Sequence, residues 1–138
     1  MATFDSAIKT IHAPQEAIYN KLSNLANLEA IKDRIPQDKV KDFSFDNDSV
    51  SFSVDPVGLI GLRVIEREPN KTIKFESEKS PIQFNLWIQL ISTGPYETKA
   101  KITVKAELSM FIKPMVSKPL QKAIDQMADM MAMLPYNG

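Results

Sequence analysis

A chain of 138 residues, 43% hydrophobic and 25% charged, suits one compact domain over residues 1–138 that buries roughly two-thirds of its unfolded surface. Seventeen basic residues balance seventeen acidic ones and the sequence pI is about 6.6; the long-range field that gathers nucleic acid or anionic membranes is therefore absent, and no nucleic-acid partner is expected. The lack of cysteine removes disulfides, thiolate nucleophiles and sulfur-ligated metals, while the lack of a secretory-type start or of about eighteen consecutive apolar residues points to the cytoplasm without stable membrane insertion.

From Thr3 to His12 the residues alternate, with Phe4, Ser6, Ile8, Thr10 and His12 on one side and Ala7, Lys9 and Ile11 on the other, which predicts a first strand. Ala13-Pro14 ends it, and Pro14 sits well in the first turn of a helix carried on by Ala17, Ile18, Leu22 and Leu25. Ser23-Asn24 is placed to cap a second short helix bearing Leu25, Leu28 and Ile31, which stops before Pro36. Val40–Phe45 and Ser49–Val54, joined at Asp46-Asn47-Asp48, read as a hairpin with Phe43 and Phe45 on the side of Val50, Phe52 and Val54.

Pro56 and Gly58 separate that hairpin from a strand over Leu59–Arg67, and Glu68-Pro69-Asn70-Lys71 turns the chain into Thr72–Glu78. In Ile82–Ile91 the inward set is Ile82, Phe84, Leu86, Ile88 and Leu90, leaving Trp87 outward with Asn85 and Gln89. Thr93-Gly94-Pro95-Tyr96 leads into Thr98–Met110, with Ala100, Ile102, Val104, Ala106, Leu108 and Met110 inward and Lys99, Lys101 and Lys105 outward. The chain closes with a helix over Pro114–Leu134. At about 100° per residue its apolar stripe is Val116, Leu120, Ala123, Ile124, Met127, Met130, Met131 and Leu134. Pro119 costs such a helix about 3 kcal/mol, so it kinks there or restarts with Ser117 as cap.

One strand, two short helices, six consecutive strands and a long helix make an α+β helix-grip fold: a curved antiparallel sheet of about seven strands around the C-terminal helix. The order of elements resembles the START-like superfamily, with its Bet v 1 allergens, polyketide cyclases and lipid-transfer domains. The residues that carry the resemblance are Ile11-His12-Ala13-Pro14-Gln15-Glu16-Ala17-Ile18-Tyr19 at the first strand-to-helix junction, Gly58–Arg67 followed by Glu68-Pro69-Asn70 and Ile73-Lys74-Phe75, and the terminal helix. The glycine-rich loop of Bet v 1 proteins has no counterpart in Asp46-Asn47-Asp48. The resemblance implies a hydrophobic cavity between sheet and helix.

His12 is the only histidine, so any imidazole base in a monomer is this residue, although no positioned nucleophile accompanies it. No second histidine, cysteine or paired acidic helix motif accompanies it as a metal ligand, and Asp46-Asn47-Asp48 lacks the glycine and distal glutamate of a calcium loop. No nucleotide-binding or nucleophile-elbow motif occurs, and neither cofactor nor metal is expected. Arg63, if inward, would need a carboxylate or an anionic ligand group. The expected function is binding of a small hydrophobic or amphipathic ligand by Phe52, Phe75, Phe84, Leu86, Ile102, Met127 and Met131, with His12, Tyr19 and Arg63 as candidate polar anchors. Two alternatives stand beside it. One is a polyketide cyclase-like enzyme in which those polar groups move protons, and the other is an interaction module, or a homo-oligomer, formed through the outer sheet face near Trp87. Whether any reaction is catalysed stays open.

Overall fold

Apolar residues at every second position produce strands, and apolar residues at helical spacing close the chain over them. The computed structural model describes residues 2–30, 41–54, 58–134 and 136. The described residues form eight strands: β1 (Ala2–Asp5), β2 (Lys9–Ile11), β3 (Lys41–Phe45), β4 (Ser49–Val54), β5 (Gly58–Glu68), β6 (Thr72–Ser77), β7 (Phe84–Gly94) and β8 (Glu97–Ala106). Helix α1 (Gln15–Leu22) and a 3-10 helix (Leu25–Ala30) follow β2, and α2 (Lys113–Met133) follows β8. All pairings are antiparallel in the order β1-β8-β7-β6-β5-β4-β3, with β2 also on β8. This is an α+β helix-grip arrangement. The expected Ile31, Pro36, Val40 and Pro56 lie outside the described residues, as do the side chains of Leu28 and Val54.

The first expected strand divides in two. Asp5 pairs with Thr103 but Lys9 with Ala100, so the segment Ser6–Ile8 holds one residue more than the stretch of β8 opposite it. Ser6 absorbs the irregularity: its N–H donates to the Ile102 carbonyl and its Oγ accepts the Ile102 N–H, both at 2.9 Å. The extra residue reverses the alternation. Phe4 and Ser6 face inward before it and Ile11 and Ala13 after it, while Ile8 and His12 turn to solvent.

A second bulge lies in β5, where Val64 pairs with Phe75 but Glu66 with Lys74. Arg63, opposite Glu76, stays on the outer face, whereas Arg67 arrives opposite the inward Ile73. Its guanidinium donates to the Ser23 carbonyl from Nε at 3.1 Å and from Nη2 at 2.9 Å, and Nη2 reaches Asp48 Oδ1 at 2.7 Å. Together with the Leu25 N–H on the Asn47 carbonyl (3.0 Å), this fastens the β3–β4 turn to the end of α1. Gly61 on β5 is glycine for space, since an added Cβ would lie 2.0 Å from the Glu78 carbonyl oxygen.

The second short helix is present as a 3-10 helix: the Asn27 N–H bonds to the Asn24 carbonyl three residues back, and six residues are too few to favour α-helix nucleation. Two local expectations are corrected. Strand β8 ends at Ala106, because its partner β7 begins at Phe84 and offers no further ladder; Leu108 is half-buried and Met110 is exposed. Helix α2 runs unbroken through Pro119, and the Ser117 hydroxyl donates to the Lys113 carbonyl (2.6 Å) instead of capping a new start. Among the described residues no helix is long and apolar enough to cross a membrane.

Candidate ligand site between the sheet and the terminal helix

Transverse rows of paired residues build the inner face. Val64, Phe75, Leu86, Val104 and Phe4 form one row across β5, β6, β7, β8 and β1, and Ile73, Ile88 and Ile102 form the next. All are buried. Helix α2 lies across β8, β1 and β2, and α1 packs against β7, so the two helices do not cover the sheet evenly.

Two polar contacts fix how α2 is rotated. Gln121 Nε2 donates to the Asp5 carbonyl (2.9 Å), and Asp129 pairs with the Lys9 ammonium. These tie one flank of the helix to the edge strands β1 and β2. Val116, Leu120, Ile124, Ala128 and Met131 are the residues buried beneath it. By helical position the opposite flank carries Ala123, Met127 and Met130, all half-buried, and it looks along the sheet toward the β3–β5 side.

On that side the inward aromatics are incompletely covered. Phe43, Phe45 and Phe52 are half-buried against the core, and the Phe43 ring lies beside both others, with centroids 5.6 Å apart for Phe43–Phe45 and 6.5 Å for Phe43–Phe52. Phe84 on β7 is half-buried as well. Of the seven apolar residues nominated from sequence, Phe75, Leu86, Ile102 and Met131 are closed within the core, while Phe52, Phe84 and Met127 keep access to solvent. Sequence reasoning paired Phe43 and Phe45 with Phe52 but did not nominate them, whereas it grouped Met130 with Met127 and Met131 as adaptable thioethers facing the sheet. The half-exposure of Phe43, Phe45 and Met130 depends on where α2 lies, which no local pattern encodes.

The polar candidates separate sharply. His12 lies in the bend after β2 and is exposed, and Arg63 points outward from β5. Tyr19 is buried on α1 with its hydroxyl bonded to no described residue. The buried Thr98 hydroxyl, which the sequence did not single out, donates to the Ala13 carbonyl (2.9 Å) and holds the corner between β2 and α1. Among the described residues no group of three or more potential metal ligands gathers. On the outer face Trp87 is half-buried, with the Lys74 and Lys105 ammonium groups 5.3 and 5.8 Å from its ring centroid.

Among the described residues two titratable groups depart from their ordinary values. Hydrogen bonds from the Asp48 and Ser49 amides to Asp46 Oδ1, each 2.8 Å, hold the Asp46 carboxyl below the usual aspartate range. Burial pushes the Tyr136 phenol up; its hydroxyl donates to the Met131 carbonyl near the end of α2 (2.6 Å).

No protein-family model matches the sequence, and no curated protein matches it either. Solved structures do match. Norcoclaurine synthase from Thalictrum flavum, in complex with dopamine and hydroxybenzaldehyde, is 14% identical with a TM-score of 0.70, over 95% of this chain and 85% of that one. A protein from Chromobacterium violaceum is 15% identical with a TM-score of 0.64 over all of both chains. A START superfamily protein from Mycobacterium smegmatis is 13% identical with a TM-score of 0.54, over 91% of this chain and 98% of that one. At such identities the likeness is one of fold, and the fold is START/Bet v 1-like.

Proposed function

We propose that this chain, as one helix-grip domain, binds a small hydrophobic or amphipathic molecule between the β3–β5 side of the inner sheet face and the Met127 flank of α2. The observation that carries the proposal is the incomplete burial of Phe43, Phe45, Phe52, Phe84 and Met127, each packed against a core whose central rows through Val64, Phe75, Leu86, Val104 and Phe4 and through Ile73, Ile88 and Ile102 are closed. Apolar side chains left partly wet at the end of a packed core gain from a guest that removes the remaining water. Flexible thioethers at Met127 and Met130 adapt to guests of different outline. Norcoclaurine synthase, with dopamine and hydroxybenzaldehyde in its complex, is a precedent for small aromatic molecules on this fold.

Of the three polar anchors considered, His12 and Arg63 face away from the inner sheet face, which leaves the buried Tyr19 as the candidate for polar recognition. Burying about 300 Å² of apolar ligand at about 25 cal/mol per Å² yields roughly 7.5 kcal/mol before association costs, which makes micromolar affinity the ceiling without further anchors. Native mass spectrometry of the purified chain, followed by extraction and identification of released small molecules, tests the proposal. An apolar molecule of roughly this size bound in equal ratio is the expected result. A ligand-free chain that also fails to take up a fluorescent fatty acid or naphthalene sulfonate probe would refute it.

A further inference from the structure

Balanced net charge hides a strong local asymmetry at the start of α2. Between β8 and the helix, Met110 and Phe111 are both 89% exposed, and Met115 in the first turn of α2 is 63% exposed. Two adjacent large apolar side chains so far out of the core gain nothing from folding. Helical position places Met115, Lys118 and Lys122 along one outward stripe of α2, Phe111 lies in the turn before the Ile112 cap, and Lys113 opens the first turn of the helix. The three lysines are exposed and have no ion-pair partner among the described residues.

No carboxylate occurs from Leu108 to Ile124; Glu107 and Asp125 bound the interval. The first turn of α2 contains no acidic residue and no side-chain cap, so Lys113 stands at the positive end of the helix dipole, where carboxylates are normally favoured. An apolar tip ringed by unpaired cations is complementary to an apolar medium bordered by anions. A bilayer surface bearing anionic headgroups has that character, with acyl chains for Met110, Phe111 and Met115 and phosphates for the lysines.

We propose that the Met110–Met115 tip docks the protein reversibly on an anionic lipid surface, Phe111 and Met110 entering the headgroup–acyl boundary and Lys113, Lys118 and Lys122 contacting phosphates. The tip protrudes and contains consecutive residues without a facing partner, which suits a deformable lipid phase better than a rigid protein pocket. This docking does not depend on what the inner face binds.

Vesicle flotation of the full chain provides the test, comparing phosphatidylcholine vesicles with vesicles containing about 30% phosphatidylglycerol at low and at physiological salt. Binding to the anionic vesicles is expected, weakening with salt and absent on phosphatidylcholine alone. Lys118→Gln should weaken it about fivefold, and Met110→Ser with Phe111→Ser at least tenfold. Both sites are exposed, and an unchanged thermal melt confirms that the variants fold. Equal recovery on both lipids, or binding that survives the double serine variant, overturns the proposal. So does light scattering that shows a dimer converted to monomer by the same variant, since the tip would then pair copies of the chain. Ligand recovery does not enter this test, so docking and ligand binding fail separately.

Discussion

Replacing Phe52 by alanine separates a ligand-contacting role from a packing role, because Phe52 is half-buried whereas Ile102, on the same sheet face, is only 1% exposed. A guest covering about 80 Å² of the Phe52 ring would draw about 2 kcal/mol from it at about 25 cal/mol per Å², equivalent to roughly thirtyfold in Kd. Ile102→Ala removes fully buried methylenes and should cost about 2–5 kcal/mol of stability through transfer and cavity terms. The two variants therefore differ in kind. Phe52→Ala should weaken binding of an apolar fluorescent probe about thirtyfold with a modest loss of thermal stability. Ile102→Ala should lower the melting temperature strongly and leave the Kd of the folded fraction within about threefold of the parent. Titration by fluorescence anisotropy, with melts followed by circular dichroism, reads both quantities. An unchanged Kd for Phe52→Ala, or a larger loss for Ile102→Ala at a temperature where it is folded, would refute the assignment of Phe52 to the site.

Gly61→Ala places a Cβ 2.0 Å from the Glu78 carbonyl oxygen, and the chain between β6 and β7 must shift; the expected cost of about 1–3 kcal/mol should lower the melting temperature by roughly 4–10 °C, and an unchanged melt would show that Glu78 does not press on this glycine. The Asp46 carboxyl is depressed in the fold relative to its ordinary value of 3.8. Its contribution to hairpin stability is therefore complete above that value and is lost as pH falls through the lower, folded pKa. Amide shifts of Asp48 and Ser49 should titrate with a midpoint below 3.8, and a midpoint at or above it would contradict the hydrogen bonds described. Tyr136 is raised by burial above its ordinary value of 10.0, so ionising it opposes folding: its contribution is intact below pH 10 and is lost as the solution becomes more alkaline. Tyr136→Phe should flatten the alkaline limb of a stability–pH profile, and an unchanged limb would remove the phenol from that account.

Strand positions, the hairpin at Asp46-Asn47-Asp48 and the closing helix were legible because they rest on periodicity and turn chemistry, both local. What escaped was the phase of the alternation wherever one strand holds an extra residue. A period of two carries through Ser6–Ile8 in the sequence, yet the bulge against β8 sends Ile8 and His12 outward. The same device in β5 brings Arg67 to the inner parity, while Arg63, the residue considered from sequence, remains outside. A bulge is a property of two strands, and neither one announces it alone. Likewise the stripe on α2 was read correctly as a broad band, but its division into a buried centre at Ile124, Ala128 and Met131 and an open flank at Met127 follows from Gln121 and Asp129 gripping the sheet edge. Ala128, completely buried, was left off the stripe because helical spacing puts it beside the polar Gln121.

Intermolecular nuclear Overhauser effects from a bound apolar probe test the central claim most directly. Contacts to the Met127 and Met130 methyls and to the Phe43 and Phe52 rings are the result expected of a guest between sheet and helix. Contacts confined to Trp87, Ile91 and the outer lysines would place the ligand on the opposite face and contradict it.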